Sequence, residues 1–253
     1  MPEKPFIVTL KDRGLIHLEG EDRHDFLQGL ISNDITLLKR QPCFYTCLLT
    51  PNGKFLHDFF VIEGHDYTLL DCEGDARAAD LFRRLNLYRL RKDVQISLEE
   101  HNDVYAIFGS DTGLTDPRHP DLGRRSFEKP DDMPEEPFNV WDEQRIKLGI
   151  PDGSRDMVLE KSTLLECNID KFHGISFDKG CYMGQELTAR MHYRGLAKKH
   201  LYSVSPELLG LSALPAPCTP LEKDGRVIGD MRSSCGDVGL ALMKDALFEN
   251  LIL

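Results

Sequence analysis

Apolar residues fall first in short runs with a period of two, then in stretches with a helical period, and the two patterns alternate. "FIVTL", "GLIHLEG", "FLHDFFVIEG" and "YTLLDCEG" are apolar or alternating and end at glycine or a carboxylate, which predicts strands. "TPNGKF" sets Asn52-Gly53 between two apolar runs, a hairpin signal because the favoured two-residue turn needs positive φ. "GEDRHDFLQGLISNDI" predicts a helix entered at Glu21 or Asp22, with His24, Leu27 and Ile31 on one stripe and Phe26 and Leu30 beside it. "GDARAADLFRRLNLYRL" predicts a second helix, with Ala78, Leu81, Phe82, Leu85 and Tyr88 at helical spacing. "RKDVQISLEE" and "VYAIFG" return to strand character.

Residues 109–139 break the pattern. They hold five of the fourteen prolines and little periodicity, which predicts a loop-rich connector. "WDEQRIKLGI" predicts a helix stopped at Gly149 ahead of Pro151. Beyond Gly195, "HLYSV", "RVIGDMRSS" and "VGLALM" are strand-like and punctuated by glycine. The pattern is α+β, and it divides into a lobe over 1–100, a second over 101–195 and a β-rich module over 196–253. No repeat or low-complexity tract interrupts it.

Composition narrows the class. Apolar residues make up 41% and charged residues 29% of 253, which is expected of a soluble globular chain. No apolar run approaches the roughly 20 residues of a bilayer span. "MPEKPFIVTLKDRG" has no apolar signal core and is not an Arg/Ser-rich, acid-poor presequence. The expectation is a bacterial cytoplasmic chain, or a mitochondrial matrix chain if it is a processed eukaryotic one. A net charge of −11 repels phosphate backbones, so direct nucleic-acid binding is not expected. The basic "RGLAKKH" (194–200) reads as solvated surface.

The seven cysteines are odd in number and scattered, unlike a disulfide framework, which favours a reducing compartment. No Cys-x-x-Cys or His-Glu-x-x-His spacing occurs, so no preformed metal cage and no stably bound metal are expected. Cys43 and Cys47 share a strand face with Tyr45 and Leu49 and read as core.

Cys181 differs. In "GISFDKGCYMGQELTARMHYRG" it follows Lys179-Gly180 and precedes a helix predicted to begin near Gly184, with Glu186 and Arg190 four apart in the favourable order. A helix N-terminus and a nearby ammonium both favour thiolate over thiol. Gly180 and Gly184 remove side-chain bulk, so a ligand or a partner's metal can approach. A buried cysteine at a tight turn remains open as the bland alternative. A Cys-His nucleophile with His173 or His192 lacks a third orienting group.

"KGCYMGQE" resembles the signature of the YgfZ-type folate-binding proteins, relatives of the aminomethyltransferase T-protein of the glycine cleavage system. "FLQGLISNDI", "LLTPNGKFLHDFFV", "DPRHPDLGRR" and "RIKLGIPDGSRD" are similar to the branch that holds the mitochondrial [4Fe–4S] assembly factor. The resemblance covers most of the chain. It implies α+β lobes and a small C-terminal β-barrel around a folate-binding opening. It also implies a role in [4Fe–4S] cluster assembly or repair, reaching radical enzymes that modify tRNA only indirectly.

Carried over by position, the signature is Lys179, Gly180, Cys181, Tyr182, Gly184, Gln185 and Glu186, with Cys181 the essential thiol and Lys179 beside it. Trp141 and Asp58 are the expected folate contacts, and tetrahydrofolate or a derivative the expected cofactor. Trp141, the lone tryptophan, is equally suited to a core. Two positions depart from the aminomethyltransferase pattern. His57-Asp58 replaces a paired Asp-Asp, and Lys147 stands where those enzymes place a Glu, although a cation cannot accept pterin N–H donors.

The resulting expectation is an assembly factor without defined turnover. It offers Cys181, as a transient and shared metal ligand, to A-type iron–sulfur scaffold proteins that serve [4Fe–4S] apo-enzymes. The alternative is a tetrahydrofolate-dependent one-carbon transferase. A third possibility is an interaction module whose cysteine is structural.

Overall fold

The structure, a computed structural model, describes residues 4–99, 103–223 and 225–252. In chain order the first half runs β1 (Phe6–Leu10), β2 (Arg13–Glu19), α1 (Arg23–Gln28), β3 (Cys43–Leu49), β4 (Phe55–Glu63), β5 (Tyr67–Glu73), α2 (Asp75–Arg89), β6 (Gln95–Glu99) and β7 (Val104–Phe108). There follow β8 (Leu114–Thr115), β9 (Arg124–Ser126), β10 (Glu135–Glu136), α3 (Phe138–Lys147), α4 (Gly153–Asp156) and α5 (Gln185–Arg194). The chain ends with β11 (Lys199–Val204), α6 (Pro206–Leu209), β12 (Pro220–Lys223), β13 (Arg226–Cys235), β14 (Val238–Lys244) and α7 (Asp245–Ile252). No helix among the described residues is long and apolar enough to cross a membrane.

Strands β3-β4-β5-β2-β6 form an antiparallel sheet covered on both faces, which is why β3 is buried at every position. The period of two sorts its residues. Phe44, Leu48, Phe59 and Val61 meet Ala78, Leu81 and Leu85 of α2, while Cys43, Tyr45, Cys47, Leu49 and Phe60 face the second sheet and the C-terminal module. The second sheet is β10-β1-β7-β9-β8, with β1 antiparallel to β7. Residues 6–10 therefore leave the lobe that the sequence divides at 1–100, and the connector 109–139 adds three short strands to their sheet.

The C-terminal strands form a third sheet, β11-β14-β13-β12. Val204, Leu221, Met231 and Met243 make its own core, while Leu201, Leu240 and Leu242 join the central cluster. Arg145 of α3 is fully buried and links the lobes. It donates to Asp142 Oδ1 (2.7 Å), Asp156 Oδ2 (2.6 Å) and Ser233 Oγ of β13 (2.9 Å).

The predicted first helix is shorter than its apolar stripe. It stops at Gln28, and Ile31 instead bridges to Leu48 of β3. Polar side chains at its end account for this. Ser32 Oγ accepts from Cys47 N at 2.9 Å, and Asn33 Nδ2 donates to Tyr45 O at 2.9 Å. Carbonyl oxygens freed by the early stop then need other donors.

Candidate functional site

Those carbonyls are answered from across the chain. Lys179 Nζ donates to Gln28 O (2.8 Å), Ile31 O (2.9 Å) and Asn33 O (2.7 Å). An ammonium is the one side chain with three rotatable donors, and it lies at a helix C-terminus, where positive charge is favoured. Burial pushes Lys179 down to about 8, and Asp34 pulls in the other direction. A full set of three donors requires the protonated form.

The rest of the segment is held in the same way. Ser32 Oγ donates to Gly174 O at 2.7 Å, Ser176 N to Ser32 O at 3.0 Å and Asn33 Nδ2 to His173 O at 2.7 Å. Met183 N donates to Gly29 O at 3.0 Å, and its side chain packs against the cluster under α2. Tyr182 packs against the central cluster, its ring 5.1 Å below the Lys179 ammonium, and burial pushes its hydroxyl up to about 12. Tyr182 N donates to Gln185 Oε1 at 2.8 Å, which ties the loop to the first turn of α5.

Between these anchors Cys181 is exposed. Gly180 is exposed too, and a Cβ built on it would meet nothing within 4 Å. The loop is pinned at positions 179, 182 and 183 and open at 180 and 181. Gly184 follows at φ +81, a conformation that L side chains rarely adopt.

The other thiols are placed differently. Cys43, Cys47, Cys72 and Cys167 are buried. Burial pushes all four up, Cys72 and Cys167 to about 12. Cys218 is exposed and Cys235 half-buried. Among the described residues no group of three or more His, Cys, Asp or Glu side chains is placed to hold a metal ion.

Several expectations meet the structure differently. Lys179 spends its ammonium on backbone carbonyls, so it positions the loop and is not a free cation beside the thiol. His192 stacks on Phe177 (3.7 Å between centroids), and no hydrogen bond joins it or His173 to the Cys181 sulfur. Glu186 and Arg190 are both exposed, with no ion pair between them.

The expected folate contacts are buried. Trp141 is 3% exposed, packed on Phe138 (5.5 Å) with Arg145 at 6.0 Å from its ring, which is the core role and leaves no face for a pterin. Asp58 is 6% exposed and accepts from Tyr45 Oη at 2.8 Å, and burial raises its carboxyl to about 6. His57 points away from Asp58, through the other face of β4, to Asp80 (2.9 Å), and burial lowers it to about 4. Lys147 is half exposed and pairs with Glu143 at 2.5 Å, outside the interior; the buried cation of that helix is Arg145. In this conformation the residues expected to hold folate do not fit it.

Sequence reasoning missed Ser32, Asn33 and Met183, which hold the loop. Their signal was local: two polar residues inside a predicted apolar stripe, and a methionine in the signature itself.

Comparison with known proteins agrees with this architecture. Residues 198–248 match a family model described as the CAF17 C-terminal beta-barrel domain. The chain is 29% identical to the iron-sulfur cluster assembly factor IBA57, mitochondrial, of Homo sapiens, covering 92% of this chain and 76% of that protein. It is 30% identical to the IBA57 homolog of Pyricularia oryzae, covering 97% and 73%. The crystal structure of glycine cleavage system aminomethyltransferase T from Bartonella henselae superposes with a TM-score of 0.71 over 96% of this chain and 79% of that one. Sequence identity there is 16%, so it speaks for the fold. With its signature loop, its three sheets and its match to relatives over nearly the whole length, the chain belongs to the iron-sulfur cluster assembly factor IBA57 family.

Proposed function

We propose that the chain serves iron–sulfur cluster assembly by lending the Cys181 sulfur as one ligand to a cluster carried by an A-type scaffold protein. The cluster, destined for [4Fe–4S] apo-enzymes, is cargo. The observation that carries this reading is the exposed sulfur on a loop anchored at both sides. A pinned loop limits the entropy lost when a partner docks, and an open Gly180 leaves room for a bulky inorganic centre. The sulfur binds iron as the thiolate. The names of the relatives support the same role. They also support a mitochondrial location for a eukaryotic chain; a bacterial chain would act in the cytoplasm.

The test is anaerobic mixing of the full chain with a cluster-loaded scaffold protein. Wild type is expected to form a complex that retains the cluster absorbance, and Cys181→Ser to form none. Equal behaviour of the two overturns the reading.

A further inference from the structure

The block "DPRHPDLGRR" takes no part in presenting Cys181, yet it builds a densely charged part of the interior. Asp116, Arg118 and Arg125 come from it, and all three are buried with Asp71 of β5. They form one chain of alternating sign. Arg13 Nε donates to Asp71 Oδ1 at 2.7 Å, and Arg125 Nη2 reaches Asp71 Oδ2 at 2.6 Å. Arg125 Nη1 then lies 3.4 Å from Asp116 Oδ2, which also takes Arg118 Nη2 at 2.9 Å, while Arg118 Nε donates to Asp116 Oδ1 at 3.0 Å.

The three guanidinium groups converge on the Phe60 ring, and one of them also lies over Tyr45. Arg125, Arg118 and Arg13 lie 3.8, 4.8 and 5.7 Å from the Phe60 centroid, and Arg118 lies 5.4 Å from that of Tyr45. Tyr45 is 0% exposed, so not even a water-sized space adjoins it. Its hydroxyl already fills one oxygen of Asp58. A pterin needs a flat ring to stack on and an acceptor for its N–H groups. Both are present here; guanidinium groups cover the rings, and the Tyr45 hydroxyl takes one of the two acceptor oxygens.

We infer that Arg118 and its ion chain occupy this interior as a permanent structural element, and that the protein carries no resident folate. A pterin stacked on these rings displaces Arg118 and leaves the buried Asp116 charge with Arg125 alone, 3.4 Å away. That penalty weakens binding by roughly a thousandfold. The chain thus keeps the architecture of an aminomethyltransferase and has closed the position where a small molecule would lie.

Equilibrium dialysis of the full chain against 5-formyltetrahydrofolate, and anaerobically against tetrahydrofolate, tests this. Wild type is expected to show no saturable uptake up to about millimolar concentration. Stoichiometric uptake that Tyr45→Phe or Asp58→Asn removes, in variants whose thermal melts show them folded, overturns the inference. Uptake that survives both substitutions lies outside the interior and overturns the absence of a resident folate. The cluster experiment above contains no folate, so either conclusion can fail without the other.

Discussion

Gly53 and Gly184 meet back to back. A Cβ built on Gly184 would stand 3.1 Å from Gly53 Cα and 2.9 Å from Leu49 Cβ, and one built on Gly53 would stand 2.7 Å from Gly184 O and 2.6 Å from Leu187 Cβ. The tip of the β3–β4 hairpin is therefore seated against the start of α5. Two motifs separated by more than half the chain make one joint, and Cys181 projects beside it. Both glycines have positive φ, +77 and +81, so space and conformation exclude a side chain at each.

Substitution at this joint is predicted to be costly, and substitution one step upstream to be harmless. Gly184→Ala should lose about 2–4 kcal/mol, from a strained φ and a forced shift of the hairpin backbone. Gly180→Ala, which meets open space, should stay within about 0.5 kcal/mol of wild type. Urea denaturation of both variants checks the pair; similar losses at the two positions would show that the joint is not what holds the loop.

Lys179 is predicted to act through stability and loop position. Lys179→Met keeps the length of the side chain and removes three donors from the carbonyls of Gln28, Ile31 and Asn33. The expected cost is about 2–4 kcal/mol, or a drop of roughly 5–15 °C in Tm. Lys179→Arg should not rescue it, because a planar fork cannot address three carbonyls around one point. A Lys179→Met protein that melts like wild type would return the lysine to a direct role at the thiol.

The strands and α2 were legible because burial on one face writes a period of two or 3.6 directly into the sequence. Ala78, Leu81 and Leu85 are buried as their spacing predicts. Cys43, Tyr45, Cys47 and Leu49 share one face as their alternation predicts. The signature loop was legible through its glycines and its lone thiol. The ion chain was not, because Asp71 and Arg125 are separated by fifty-four residues and opposite charges carry no period. Residues 109–139 read as a connector for the same reason: their order comes from polar pairs, not from an apolar stripe. The true end of α1 was hidden because Leu30 and Ile31 continue the stripe while Ser32 and Asn33 redirect the backbone.

Thiol reactivity should separate the cysteines by burial. Iodoacetamide on the folded protein is expected to label Cys181 and Cys218, which are exposed, and to spare Cys43, Cys47, Cys72 and Cys167 until denaturant is added. Peptide mass spectrometry reads each position separately. Cys181→Ser should remove its own label and change no other. Early labelling of Cys47 or Cys167 would mean that the central cluster opens readily, against the packing around Tyr45.

Asp58 supplies a pH signature whose sign is fixed by its environment. Burial raises its carboxyl from 3.8 to about 6, with Arg13 and the Tyr45 hydroxyl opposing. A group raised in the folded state binds its proton more tightly there than in the unfolded chain. Its contribution is therefore present in full below about pH 4 and is lost as the pH climbs through about 6. Above that, keeping the carboxylate ionised costs roughly 2–3 kcal/mol. Asp58→Asn retains the shape and still accepts from Tyr45 Oη, but carries no charge to desolvate. At pH 7.5 the Asn variant is expected to melt several degrees above wild type, and at pH 4.5 the two should converge. An Asn variant that melts below wild type at pH 7.5 would mean that ionised Asp58 is a net favourable partner of Arg13. The charge would then belong to the ion chain and would be part of what holds the interior shut.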